Sequence, residues 1–407
     1  MDTCTSKREV KGFAVLLVFT YMVSYITRTN FGAIVSEISV CTGFSKSLLA
    51  MSLTGSFITY GAGQIISGIL GDRLSPKRLV SLGLALTGGM NLLLPLCRNP
   101  YQMLVVWCIN GFAQAFMWPP MVRMMTELLS EDDYKQTATK VNWGGSFGTI
   151  AVYLLSPVII TIAGWKALFL VSALAGVVML LIWDRKAVEL QPSRKQDIQK
   201  MENEKARTLW DPTMLCILAA IVLQGMLRDG ISTWMPSLIA ESFQLDRTVS
   251  ILTGVLLPVF AIGSLQVTNG IYRRKVIHPI ACAALLFTAG AVFAILLWVF
   301  CGKSVVMSVI LTALLTGCMH GVNLMLVSML PRYFRRYGNT AMVSGVLNAC
   351  TYVGSAVSTY GIALLSGKVG WRGTVFLWFL IALAGDVICL CCIRPWHQRF
   401  EDKGAST

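Results

Sequence analysis

The sequence predicts an all-α membrane protein with twelve transmembrane helices in two pseudo-symmetric six-helix bundles. Three observations predict it. Hydrophobic residues make up 55% of the 407 residues and charged ones 13%, against about 25% charged in an ordinary soluble chain. Long apolar runs recur, each near the ~20 residues a helix needs to cross ~30 Å of hydrocarbon. Residues of the second half repeat those of the first at a constant offset of 206. The net charge of +14 raises nucleic acid as a partner. The basic residues fall between apolar runs, however, so no nucleic-acid role is expected.

In order, the spans are 12–36, 47–70, 79–97, 101–128, 138–163, 165–183, 213–240, 248–271, 278–300, 304–330, 340–366 and 371–393. Runs of this length are helices, because backbone polar groups in lipid must pair within the segment and barrel strands are half as long. The first run follows Lys7, Arg8 and Lys11. It is too long for a signal peptide, and no small-residue cleavage site closes it. The long polar connection around 185–212 separates a bundle at 1–184 from a second bundle and tail at 213–407. With a cytoplasmic N-terminus, and with the span-end residues Lys140, Lys166 and Arg372 counted in the adjoining loops, 24 Lys and Arg lie on the cytoplasmic side, 7 lie outside, and Arg28, Arg123 and Arg228 lie further within spans. That asymmetry places both termini in the cytoplasm of a multi-pass plasma-membrane protein. The 12 cysteines are scattered without metal-ligand spacing, so no metal, cofactor or disulfide framework is expected.

The repeat is most visible in glycines and polar residues. Gly164-Trp165-Lys166 opens the sixth span and Gly370-Trp371-Arg372 the twelfth; Gly111 pairs with Gly317 and Gly148 with Gly354. Asn142, Ser146, Thr149 and Tyr153 form one helix face, and the same offset gives Asn348, Tyr352, Ser355 and Thr359. Gln114 maps to His320. Polar stripes are costly in hydrocarbon unless they meet a partner or water. They either join helices within a bundle or line a cavity between two homologous halves.

Arg28 lies about sixteen residues into the first span and Arg228 about fifteen into the seventh, which puts both ~22–24 Å from the cytoplasmic end. Each begins its half of the repeat. An intramembrane arginine stays charged and costs ~3 kcal/mol or more on insertion scales. Asp229 follows Arg228 but lies ~100° around the helix, so adjacency alone does not pair them. Tyr21, Ser24, Tyr25 and Arg28 share one face; Gln224, Arg228 and Ser232 share another. Two guanidinium forks with hydroxyl and amide neighbours suit an anionic ligand.

These residues resemble the organophosphate:phosphate antiporter branch of the major facilitator superfamily, the glycerol-phosphate and hexose-phosphate transporters. Tyr25-Ile26-Thr27-Arg28-Thr29-Asn30-Phe31 is similar to its first-helix motif, and Leu227-Arg228-Asp229-Gly230-Ile231, with Trp234 and Pro236, to its seventh. Gly68 through Arg78 is similar to the superfamily loop between helices 2 and 3. Trp118-Pro119-Pro120 with Arg123 is similar to the fourth helix, and Gly345 through Trp371 to the eleventh helix and its following loop. Three positions depart from the pattern. Gln64 stands in place of a substrate-site lysine, Gly145 in place of a histidine, and Asp229 where an aromatic is common.

The resemblance implies a secondary transporter that moves a small organic anion by alternating access, with no enzymatic step. The cargo is of organophosphate or phosphate type, or a sugar acid, exchanged against inorganic phosphate or coupled to protons. A proton-coupled exporter of another solute and a transport-deficient sensor of the same fold are the alternatives. The expected substrate set is Arg28, Arg228, Tyr21, Tyr25, Gln64, Gln114, Asn142, Ser146, Gln224, His320, Asn348 and Tyr352. Asp72, Arg73, Arg123 and Glu127 are expected to form gating ion pairs near the cytoplasmic surface. A monomer in the lipid bilayer is expected.

Overall fold

The computed structural model describes residues 7–190, 211–244, 256–274, 278–337 and 339–400. Regular structure among them is helical: α1 (Lys7–Ala33), α2 (Val35–Thr42), α3 (Lys46–Arg73), α4 (Pro76–Leu93), α5 (Pro100–Gln114), α6 (Trp118–Leu128), α7 (Glu131–Ala163), α8 (Trp165–Lys186), α9 (Pro212–Phe243), α10 (Leu256–Arg274), α11 (Pro279–Phe300), α12 (Val305–Asn323) and α13 (Thr340–Phe400). Nine helical segments among the described residues are long and apolar enough to cross a membrane. Most of the 185–212 connection and the start of the 248–271 span lie outside the described residues.

Local chemistry sets many of the helix starts. Ser75 and Asn99 each precede a proline at the first helical turn, where a missing N–H costs nothing. Their side chains accept hydrogen bonds from Arg78 and Gln102 backbone N–H groups. Ser130 caps α7 through Asp133 N–H at 3.2 Å. The two Gly-Trp sequences make the same turn. Gly164 has φ 76° and Gly370 φ 69°, a region that L side chains rarely adopt. In both cases the following tryptophan starts a helix and is buried.

The structure corrects several predicted spans. The fourth is not one helix: α5 ends at Gln114 and α6 begins at Trp118, because Pro119 and Pro120 supply no N–H to a continuous ladder. The first span stops at Ala33, and after a break at Ile34 the chain continues as α2. The tenth leaves α geometry at Asn323, widens through Leu324–Met329 and tightens through Leu330–Tyr337, which contains Pro331. The predicted gap between the last two spans reduces to one non-helical residue, Gly370.

The chain divides into two compact units. One comprises Met1–Met201 with Phe334–Ala349; the other comprises Glu202–Tyr333 with Cys350–Thr407. In the first, α1 packs on α7 and α8, α3 on α5, and α4 on α8. In the second, α12 packs on α9, α10 and α11. Close approach is made by glycine. A Cβ on Gly148 would collide with the carbonyl of Met22 on α1, and one on the repeat-related Gly354 with that of Val222 on α9. Exposed positions are strongly apolar, with Leu96 71% and Ile162 79% exposed. An apolar exterior of this kind suits lipid, where association rests on small-residue packing and internal hydrogen bonds.

The first unit contains such a polar core. Asn30 donates to Asn91 Oδ1 at 2.7 Å and Ser172 Oγ at 3.0 Å. Asn91 donates to the carbonyls of Thr27 and Thr87 at 3.0 and 2.9 Å. Asn110 donates to Thr27 O at 3.2 Å and accepts from the Thr87 hydroxyl. Four of the helices are tied by this network, and every member is buried.

Candidate functional site

Arg28 lies in the interior of α1. Its guanidinium carbon is 4.1 Å from the centroid of the Tyr25 ring and 4.9 Å from that of Tyr60. Cation–π contacts of this kind are worth ~0.5–2 kcal/mol. Tyr21 meets Tyr25 edge-on at 5.0 Å and Trp118 of α6 at 5.2 Å. The stripe Tyr21, Tyr25 and Arg28 is therefore one aromatic–cationic cluster. Tyr60 and Trp118 belong to it and were not among the predicted substrate residues. Tyr60 lies one turn before Gln64 on α3, a spacing that could have drawn attention to it.

The cluster also accounts for Gly145. A Cβ there would lie 2.9 Å from Tyr25 Cε2 and 3.0 Å from Cζ. The Tyr25 ring thus covers the point on α7 where the resembled family carries a histidine.

Other predicted residues of this unit serve different contacts. Gln114 donates to the hydroxyls of Thr27 and Thr87 at 2.9 and 2.7 Å, so its amide belongs to the buried network. Gln64 is fully buried, its side-chain amide has no hydrogen-bond partner, and its carbonyl lies against Gly345. Asn142 donates to Ala138 O of its own helix at 2.8 Å, and both it and Ser146 are half-buried. Asn348 is buried on α13.

In the second unit Arg228 is paired with its neighbour. Nε donates to Asp229 Oδ1 at 2.7 Å and an Nη to Oδ2 at 2.8 Å. This overturns the expectation drawn from the ~100° separation, since a long arginine side chain can fold back along the helix to a short neighbouring carboxylate. Ser355 of α13 donates to Asp229 Oδ2, and His320 of α12 is within electrostatic reach of both charges. Gln224 is buried and donates to Met319 O at 3.1 Å. Tyr352 is half-buried one turn from Ser355.

The predicted gating set is partly assembled within the first unit. Arg123, 4% exposed, pairs with Glu127 at 2.6 Å. It also donates to the carbonyls of Gly71, Asp72 and Leu74 at 2.7, 3.1 and 3.2 Å, completing the end of α3. Asp72 accepts from the backbone N–H groups of Ala341 and Met342 at 2.9 and 2.8 Å. Its carboxylate therefore acts as a cap on the start of α13. Arg73 is exposed.

A half-buried guanidinium resting on aromatic rings, in a helical bundle whose helices are long and apolar enough to cross a membrane, is the setting of a polytopic membrane protein. The Major Facilitator Superfamily model matches residues 17–336, and the chain belongs to that family. It is similar to a probable hexose phosphate transport protein of Chlamydia muridarum, 27% identical over 46% of this chain and 41% of that one. It is similar to the membrane sensor protein UhpC of Salmonella typhimurium, 24% identical over 91% and 88%. It is also similar to the glycerol-3-phosphate transporter of Bacillus subtilis, 26% identical over 73% and 72%. The chain thus spans about two fifths of the chlamydial relative and most of the other two. These relatives match the branch resemblance seen in the sequence. The fold is that of the proton:xylose symporter XylE, with TM-score 0.75, 10% identity and coverage of 94% and 95%. FucP in its outward conformation has the same TM-score of 0.75 at 12% identity, covering 93% and 98%.

Proposed function

We propose that this multi-pass membrane protein is a secondary active transporter for a small organic anion, organophosphate or sugar acid, working by alternating access. Arg28 and Arg228 bind the anion. Inorganic phosphate or protons supply the coupling ion, the plasma membrane is its location, and both termini are cytoplasmic. The observation that carries this reading is Arg28 on the faces of Tyr25 and Tyr60. Stacking engages the flat face of the guanidinium and fixes its orientation, while an anion is taken by the in-plane N–H fork.

Purified protein is screened for thermal stabilisation by inorganic phosphate, glycerol 3-phosphate, hexose 6-phosphate and gluconate. A ligand at a hundred times its Kd stabilises by about 2.7 kcal/mol, and the same ligand leaves Arg28→Ala unshifted. Equal stabilisation of both proteins contradicts the assignment.

A sensor is the second reading, favoured by the similarity to UhpC across 91% of this chain. Anion binding without counterflow in proteoliposomes supports the sensor; counterflow supports the carrier.

A further inference from the structure

The pairing of Arg228 with Asp229 has the form of ligand recognition. Two parallel N–H···O contacts of 2.7 and 2.8 Å are the bidentate arrangement by which arginine takes a free carboxylate. We propose that Asp229 is a resident stand-in for the substrate's anionic group. In the empty carrier it fills the Arg228 fork; loading replaces it there, with one proton taken from solvent onto the displaced carboxyl. Asp229 then sets the charge class of the cargo to a monoanion, a carboxylate above all. This rests on the assignment of Arg228 to the substrate site.

Three features support the exchange. The arginine side chain is 12% exposed and the aspartate 32%, so the carboxylate is the member of the pair with room to move. The backbone beneath it is pinned. A Cβ on Gly230 would lie 2.6 Å from Ser358 Oγ and 2.8 Å from Ile362 Cδ1, so α9 and α13 touch and the side chain alone can swing. Ser355 already donates to Asp229 Oδ2, and a carboxyl that has left the fork and taken a proton keeps an oxygen to accept from it.

Charge balance gives the proton its place. Charged or titratable groups at this point include Arg228 and Asp229 on α9, His320 on α12 and, one turn from Ser355, Tyr352 on α13; Ser355 and Ser358 of α13 add hydroxyls. An arriving anion that displaced an ionised Asp229 would leave two negative groups beside one guanidinium within the helical bundle. Protonation of the displaced carboxyl restores neutrality.

The test measures affinity and proton uptake by calorimetry on the full chain, in buffers of differing ionisation enthalpy, with gluconate, glycerol 3-phosphate and inorganic phosphate as probes. The parent is expected to take up close to one proton per anion and so, by linkage over 2.5 pH units, to bind gluconate about 300-fold more tightly at pH 5.5 than at pH 8. Asp229→Asn is expected to bind it at least about 300-fold more tightly than the parent at pH 8, because the competing occupant is gone. Its affinity is expected to be flat with pH, with no proton taken up. Asp229→Glu, a second variant should the first not fold, retains the pH slope.

Weaker binding in Asp229→Asn, or a slope unchanged there, overturns the proposal. So does a slope lost in His320→Gln but kept in Asp229→Asn. Loss of binding in Arg228→Lys together with either result leaves the substrate-site reading standing while this inference falls. Affinity unchanged in Arg228→Lys, or no binding of any probe to the parent, removes the site reading and the inference with it.

Discussion

Replacing Asp72 by asparagine isolates one carboxylate and two backbone donors. Asp72 is 3% exposed, and its two oxygens accept from Ala341 N–H at 2.9 Å and Met342 N–H at 2.8 Å. These are first-turn donors of α13, which has no intrahelical partner for them. Asn339, the residue before that helix, has no hydrogen bond from its own side chain, so Asp72 does the work of the missing cap. Asparagine keeps the size but can accept through one oxygen only, leaving its amide facing the second N–H. Losing the second acceptor leaves a buried donor unsatisfied, at about 1–3 kcal/mol. Loss of the negative charge at a helix N-terminus adds ~0.3–1 kcal/mol. Together the cost is about 1.3–4 kcal/mol, or roughly 10- to 900-fold in a local opening equilibrium. Hydrogen exchange over Thr340–Ser344 in purified protein reads this directly, and exchange there is expected to quicken by that factor in Asp72→Asn. Unchanged exchange would show that the carboxylate does not hold the helix start, and the capping argument would be wrong.

Three further outcomes follow from packing. Gly145→Ala pushes on the Tyr25 ring and is expected to lower stability by ~1–3 kcal/mol; Tyr25→Ala in the same chain should recover most of it, and a double-mutant cycle on thermal unfolding checks the coupling. Asn91→Leu removes donors to Thr27 and Thr87 and the acceptor for Asn30, so a loss of about 2–4 kcal/mol is expected, measured by the denaturation midpoint in detergent. Tyr60→Leu keeps apolar bulk but removes one ring face from Arg28; anion affinity should fall about threefold or more, at ~0.5–1 kcal/mol for the contact, with little change in melting temperature.

Some of this was legible in the residues and some was not. Apolar runs locate helices because lipid forbids unpaired backbone, and the paired Gly-Trp turns are visible in the sequence as a repeat. The break at Pro119-Pro120 was written in the sequence too, although the apolar run across it read as one span. Polar residues were harder. Gln114 and Tyr25 sit in similar stripes, yet one amide ties three helices together and one ring shields a cation. Spacing shows that a face is polar, and packing decides whether that face meets a neighbouring helix or a ligand. The Arg228–Asp229 pair is hidden in the sequence for another reason. Helical angle fixes where Cβ atoms point, whereas the long arginine side chain reaches across that angle.

The central claim is that Arg28 binds the transported anion through its planar fork. Counterflow in proteoliposomes, comparing the parent with Arg28→Lys, tests it most directly. Lysine retains the charge but not the bidentate geometry, so flux is expected to fall by at least about a hundredfold while the variant folds and inserts normally, a loss of about 2.7 kcal/mol or more. Parental flux in Arg28→Lys would contradict it.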